Sequence, residues 1–407
     1  MRKLSGLRGC GGSIKGAAED FVEEEIQRGG VVLEAGRRYV HSDLGMEAAD
    51  SGKFSVFVLQ KRDWNTMQAL RAVAKKCGRG FKSVGFAGTK DKTSVSTQLC
   101  SIFGAKPDAL ASLRIKDISI NGSWASDAGV KLGDLVGNRF TIRITAPYDA
   151  SAIQGINDGL CGVFPNYFGE QRFGVRGNNV KIGVSILQGD FEGAVMEFLT
   201  GTENEKNAGV VEARNRLRCE RDFASALGYF PAYLKYERLV LDRLSQYPTD
   251  YANSLRRLPR QLLLMFVHSV EAHIFNMELE ARVTAGETSP RDGDLACLAD
   301  TSGFPDMNSV ADQHKTEGKK RFAVGSIVGF ESERLTQYQD ALLNELGISK
   351  EQFKIKTMPE LSMKGTYRAL FAPYIGFSSS IETGNAVLKF SLPAGAYATA
   401  LLNEFMN

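Results

Sequence analysis

Hydrophobic periodicity changes near Pro165 and changes back near the C-terminus, and this limits the fold more than any other feature of the chain. Before Pro165, Phe54, Val56 and Val58 alternate along 53–60. Phe140, Ile142 and Ile144 do the same along 139–145, with Arg139, Thr141, Arg143 and Thr145 between them, which is the period of half-buried strands. A helix is expected after the first strand: Asn65 and Gln68 form a capping box, Met67, Leu70, Ala74 and Cys77 keep helical spacing, and Gly78 supplies the stop. A short apolar run at 84–87, a tight Gly88-Thr89-Lys90-Asp91 turn and a strand through Val95, Thr97, Leu99 and Ser101 read as strand, turn, strand with an acid at the tip. Beyond Pro165 the spacing predicts helices at 190–199, 261–283 and 331–346, the last ended by Gly347, with loop composition over 286–320. From Asn385 a strand leads through Pro393 into a helix carrying Leu401, Leu402 and Phe405. The expectation is an α+β chain whose helix-rich middle is an insertion.

Composition narrows the function classes. A chain of 407 residues holds two or three domains of about 150 residues each. With 43% hydrophobic and 24% charged residues it is neither disordered nor fibrous. Apolar runs such as 261–270 are too short for a bilayer and the N-terminus lacks the apolar stretch of a signal peptide, so a cytoplasmic protein without a membrane partner is expected. Six cysteines (Cys10, Cys77, Cys100, Cys161, Cys219, Cys297) include no C-x-x-C pair. The four histidines (His41, His268, His273, His314) form no H-E-x-x-H, and His268 and His273 are five apart. Zinc, iron–sulfur and disulfide frameworks therefore lose ground, and carboxylate, lysine and aromatic chemistry gains it. Residues 85–94 mix Gly, Lys and Thr but miss the spacing of a phosphate loop, and Gly9, Gly11 and Gly12 do not complete G-x-G-x-x-G, so no nucleotide cofactor is expected.

Charge is uneven. The net is +3, yet residues 61–92 hold nine basic side chains (Lys61, Arg62, Arg71, Lys75, Lys76, Arg79, Lys82, Lys90, Lys92) against Asp63 and Asp91, a stripe suited to phosphate as well as to a solvated face. Arg2, Lys3, Arg8 and Lys15 add a basic N-terminus, followed by the acids Glu19, Asp20, Glu23, Glu24 and Glu25. Asp91 stands between two lysines, which favour its ionised form and leave it able to act as a nucleophile; Asp is equally at home in a turn.

Five blocks then resemble one family. They are Lys15 with Glu19-Asp20-Phe21, the stretch 85–98 (GFAGTKDKTSVSTQ), Gly137-Asn138-Arg139-Phe140, the stretch 166–174 (NYFGEQRFG), and the stretch 392–399 (LPAGAYAT). Their identity and order are similar to the TruD family of tRNA pseudouridine synthases, in its archaeal form, along almost the whole chain. The resemblance implies a pseudouridine-synthase catalytic domain with a mixed or antiparallel sheet, made of 1–164 and 375–407. A helix-rich α/β TRUD domain, 165–374, is inserted into it. It also implies Asp91 and Lys15 as catalytic residues, Phe21, Asn138, Phe140 and Tyr397 around the target nucleotide, tRNA as partner with uridine 13 the usual target, and no cofactor, metal or obligate protein partner. Ala18, Ser94 and Tyr397 depart from the commonest residues while preserving size or aromaticity.

The residues suit that chemistry. Moving uracil from an N1 to a C5 link with its ribose consumes no outside group, and a uridine inside folded RNA must first be unstacked, which calls for rings and an amide in the pocket. A catalytically silent RNA-binding protein or RNA-folding helper is the alternative. A two-carboxylate glycosidase would need a second acid beside Asp91, where the sequence neighbours are lysines.

Overall fold

The structure is a computed structural model describing residues 1–14, 16–316 and 318–406. Seven strands come first: β1 (Gly11–Ser13), β2 (Phe21–Ile26), β3 (Phe54–Arg62), β4 (Val84–Phe86), β5 (Val95–Phe103), β6 (Ile118–Ser126) and β7 (Gly137–Tyr148). Then follow β8 (Val163–Pro165), β9 (Leu295–Leu298), β10 (Ala311–Asp312), β11 (Arg321–Ile327), β12 (Thr366–Ala369), β13 (Phe371–Pro373), β14 (Ile375–Glu382) and β15 (Asn385–Pro393). A nine-stranded sheet runs β14-β15-β7-β2-β5-β3-β6, with β1 added to β7 and β4 to β5. It is mixed, because β2 is antiparallel to β7 and parallel to β5.

Register decides what meets on this sheet. Lys61 of β3, Ser96 of β5, Glu23 of β2, Phe140 of β7 and Phe390 of β15 are successive partners in one line across it, and residues paired in this way share a face. One end of that face is covered by the helix Thr66–Lys76, whose Leu70, Val73 and Ala74 pack on Phe57, Leu59, Cys100 and Ile102. The other end is covered by the helices Ala150–Leu160 and Ala398–Phe405, whose Ile153, Ile156, Leu401 and Phe405 join Phe140, Ile142 and Phe390. Glu23 falls between the two covers. The opposite face buries Val56, Val58, Leu99 and Trp124 under Leu33, Tyr39 and Leu44.

The middle of the chain builds a second, helical core around the helix Arg260–Ala285, with Phe266, Val267, Val270 and Ile274 at its centre. This helix is longer than its apolar run suggests: at 26 residues it has the length of a bilayer span, but 61% of its most apolar stretch is buried inside the protein, as in a core helix.

Three local expectations change. The helix expected over 331–346 is Gln337–Glu345, because Thr336 accepts from the Gln339 amide and forms a capping box there. Loop-like composition over 286–320 conceals β9 and β10, which join a four-stranded sheet β10-β9-β11-β12; strands of four and two residues are too short to display a period. The turn expected at Gly88–Asp91 is a longer loop, since β4 ends at Phe86 and β5 begins at Val95.

Candidate active site

The loop joining β4 to β5 folds back onto the sheet instead of projecting from it, and Lys90 is the reason. Its side chain is buried and its Nζ lies 2.9 Å from Glu25 Oε2 on β2. Its backbone is pinned by Thr66, the first residue of the Asn65-capped helix: Lys90 N donates to Thr66 Oγ1 (2.9 Å) and that hydroxyl donates to Lys90 O (3.2 Å). Asp91 is therefore delivered half-buried onto the sheet and is no solvent-facing tip. Its amide donates to Glu23 Oε2 (3.0 Å), and its carbonyl accepts from Lys61 Nζ (2.5 Å) and Ser94 Oγ (2.7 Å).

The surroundings are charged and largely buried. Glu23, Glu25, Lys61, Lys90 and Ser94 are all buried. Burial pushes the Glu23 carboxyl up to about 7 against the pull of Lys90 and the Asp91 amide, with the nearby Asp91 adding to the rise. Burial likewise brings the Lys61 ammonium down to about 8, opposed by Glu23 and Asp91. For Lys90 burial also works against the charge, but Glu25 and Glu23 outweigh it and hold its pKa above the ordinary lysine value.

Rings and an amide lie next along the same face. Phe21 and Phe140 meet edge to face with centroids 5.9 Å apart, and Phe140 stacks on Phe390 at 5.6 Å. Asn138, opposite Glu25 in the β2–β7 register, is buried, and its Oδ1 has no hydrogen-bond partner among the described residues. A buried acceptor left unpaired costs on the order of 1–3 kcal/mol, and a ligand N–H would satisfy it.

The sequence profile of the family described as tRNA pseudouridine synthase D (TruD) matches residues 3–405. The chain belongs to the TruD family. Among its relatives, a "Probable tRNA pseudouridine synthase D" of Methanosarcina mazei is 31% identical over 430 residues, covering 98% of this chain and 94% of that protein. One of the same name from Thermococcus sibiricus is 31% identical over 432 residues, covering 100% and 97%. A crystal structure of a Methanosarcina mazei protein described as the "Putative tRNA pseudouridine synthase D (TruD)" superposes with a TM-score of 0.77 at 30% identity, over 100% of this chain and 96% of that one.

Of the residues singled out by the TruD motifs, Asp91, Phe21, Phe140 and Asn138 gather on one face. Lys15 lies outside the described residues. Tyr397 sits just beyond β15, where it precedes the helix Ala398–Phe405 and is 37% exposed; its ring lies 6.4 Å from Phe168 and 5.5 Å from the Arg368 guanidinium. Arg368 also covers Phe168 at 4.4 Å and donates to Asn166 O (3.1 Å) and Gly395 O (2.9 Å), tying the 166–174 block to the 392–399 block. Burial lowers its pKa to about 10, with Tyr397 opposing and Arg172 assisting.

Sequence reasoning missed Glu23, Glu25, Lys61, Lys90 and Arg368. Lys61 and Lys90 belong by sequence to the basic stripe, yet both are inside; Arg62, Arg71, Lys75, Lys76, Arg79, Lys82 and Lys92 are the exposed remainder. The signal for the two acids was alternation: in Phe21-Val22-Glu23-Glu24-Glu25-Ile26, Glu23 and Glu25 share the face of the buried Phe21, whereas Glu24 turns to the other face and pairs with Arg139 at 2.7 Å. Ser94 supplies a hydroxyl that donates to the Asp91 carbonyl.

Proposed function

We propose that this chain is a tRNA pseudouridine synthase that isomerises uridine, at position 13 of tRNA, through an Asp91-dependent and cofactor-independent reaction on a flipped-out base. The observation that carries the reading is the convergence on one sheet face of Asp91, the buried ring pair Phe21–Phe140 and the Asn138 acceptor, which has no partner among the described residues.

Each part has a task. Asp91, as carboxylate, acts while the N1–C1′ bond breaks; the uracil turns and bonds through C5, losing the C5 proton and gaining one at N1, with no net redox change. Asn138 Oδ1 accepts an imide N–H of the uracil edge, the only kind of donor that ring offers besides the N1 position. Extruding the base costs a few kcal/mol, offset by the rings and by these edge bonds. Lys15 is assigned by its motif to the neighbourhood of Asp91, and Tyr397 to the rim beside Phe168. In this reading 1–164 with 375–407 form the catalytic domain, and 165–374 form the inserted TRUD domain that contacts the tRNA body. The enzyme works in the cytoplasm without a membrane or an obligate protein partner.

Incubating the purified protein with an unmodified tRNA transcript and mapping pseudouridine at nucleotide resolution tests this. Product at position 13 is expected. Product at another nucleotide moves the target, and absence of product contradicts the activity.

A further inference from the structure

We propose that Glu23 and Lys61 are positioning residues that grip the Asp91 peptide from its two sides and so fix the direction of its carboxylate. The proposal rests on the reading of Asp91 as the catalytic acid.

Three bonds hold this one residue through its backbone: Glu23 Oε2 takes the N–H, while Lys61 Nζ and Ser94 Oγ donate to the C=O. Lys90 is also held at its N–H and C=O, by the neutral Thr66 hydroxyl, whereas the Asp91 peptide is met by the ionisable side chains of Glu23 and Lys61. Thr89, Lys92 and Thr93 are exposed, while Ala87 and Gly88 are tied through their carbonyls to Gly133 N (2.8 Å) and Gln98 Nε2 (3.0 Å), so the loop is anchored at 87–88 and again around Lys90, Asp91 and Ser94. The grip comes from the sheet itself. Glu23 and Lys61 sit on β2 and β3, either side of Ser96 on β5, and strands of a packed sheet hold a side chain more tightly than a loop does.

Stability does not account for these charges. A buried ionic row is commonly no better for the fold than apolar residues of the same volume, and here the ionised forms are disfavoured by burial. The groups facing Glu23 are Lys61 from β3 and Lys90 and Asp91 from the loop. Those facing Lys61 are Glu23, Asp91 and Lys90, with Asp63 just beyond the end of β3. Both bonds are charge-assisted, and so strongest, only while Glu23 is a carboxylate and Lys61 an ammonium. The rate of the chemical step should then rise as pH passes about 7 and fall as it passes about 8, two limbs that belong to the coupled row as a whole.

The test measures kcat and KM for pseudouridine formation on a tRNA transcript from pH 5.5 to 9, with thermal unfolding of every variant alongside. Glu23→Gln keeps an oxygen for the Asp91 amide but does not titrate. It should lower kcat about tenfold at its optimum, leave KM within about twofold, and erase the acid limb. Lys61→Met should lower kcat by a similar factor and erase the basic limb. Ser94→Ala disturbs no charge; it should lower kcat about threefold with both limbs in place, and it keeps the proposal testable if a charge variant unfolds. A purely packing role would lower the unfolding temperature and leave the limbs where they are. Variants with the wild-type kcat and profile, beside an inactive Asp91→Asn, overturn the grip alone. An active Asp91→Asn overturns the grip together with the reading beneath it.

Discussion

Two buried ionic groups in this molecule behave in opposite ways. In the helical core, Arg214 is buried and pairs with Glu237 at 2.7 Å, and its guanidinium also donates to the carbonyls of Phe198 (3.1 Å) and Leu199 (2.7 Å) near the end of the helix Phe191–Thr200. That charge is spent on helix-end carbonyls, which a cation suits. On the large sheet, Glu23 and Lys61 bond to a loop peptide and hold pKa values of about 7 and about 8. Burial of charge therefore does not by itself mark a site. What separates the two is whether the bonds end on regular secondary structure or on a single loop residue.

The sharpest way to break the comparison is to unpair the structural charge. Glu237→Ala removes the 2.7 Å carboxylate from the buried Arg214 guanidinium, leaving Glu205 at 4.0 Å, and should cost roughly 3–5 kcal/mol, read from denaturant unfolding, while kcat of the folded fraction is unchanged. A kcat loss as large as the stability loss would merge the two regions. A somewhat smaller effect belongs to pH. Glu23 has a folded pKa above its ordinary 4.5, so its contribution is fully present below about 4.5 and is lost as pH rises through about 7. Lys61 has a folded pKa below its ordinary 10.5, so its contribution is present above about 10.5 and is lost as pH falls through about 8. Between pH 7 and 8 both groups weigh on the fold, each by on the order of 3 kcal/mol. Thermal unfolding should fall from pH 5 to pH 8 in the wild type and fall less in Glu23→Gln; parallel curves would remove the strain from the sheet row. The smallest stability effect should come from the exposed charges. Replacing Lys75, Lys76, Arg79 and Lys82 together should move stability by less than about 0.5 kcal/mol per site, weaken tRNA binding across sequences and flatten its salt dependence. An unchanged salt slope would put the RNA path elsewhere.

How much of this could be read from the chain depends on whether a contact is local. The strand Phe54–Arg62, the helix Thr66–Lys76 with Asn65 accepting at its N-terminus, and the strand Gly137–Tyr148 all follow from spacing and capping within a few residues. Asp91, Asn138 and Phe140 are singled out only by their motifs, and β7 and the loop bring them to a common face. Lys61 and Glu23 were hidden because their meaning is a register: only when β2, β3 and β5 pair do they meet beneath Asp91. Arg368 was hidden for the same reason, since its partners Asn166, Gly395 and Phe168 come from distant parts of the chain. The hairpin tip was misread because a buried lysine looks, in sequence, the same as an exposed one. Lys90 follows the turn residues Gly88 and Thr89, and only its partner Glu25 on another strand turns it inward.

In the proposed reaction the Asp91 carboxylate acts on an unstacked uridine held at this sheet face. The most direct measurement compares wild-type protein with Asp91→Asn on one unmodified tRNA transcript, mapping pseudouridine and measuring tRNA affinity in the same samples. The account predicts product only with the wild type and affinities within a few-fold of each other. Pseudouridine formed by Asp91→Asn at the wild-type rate would contradict it.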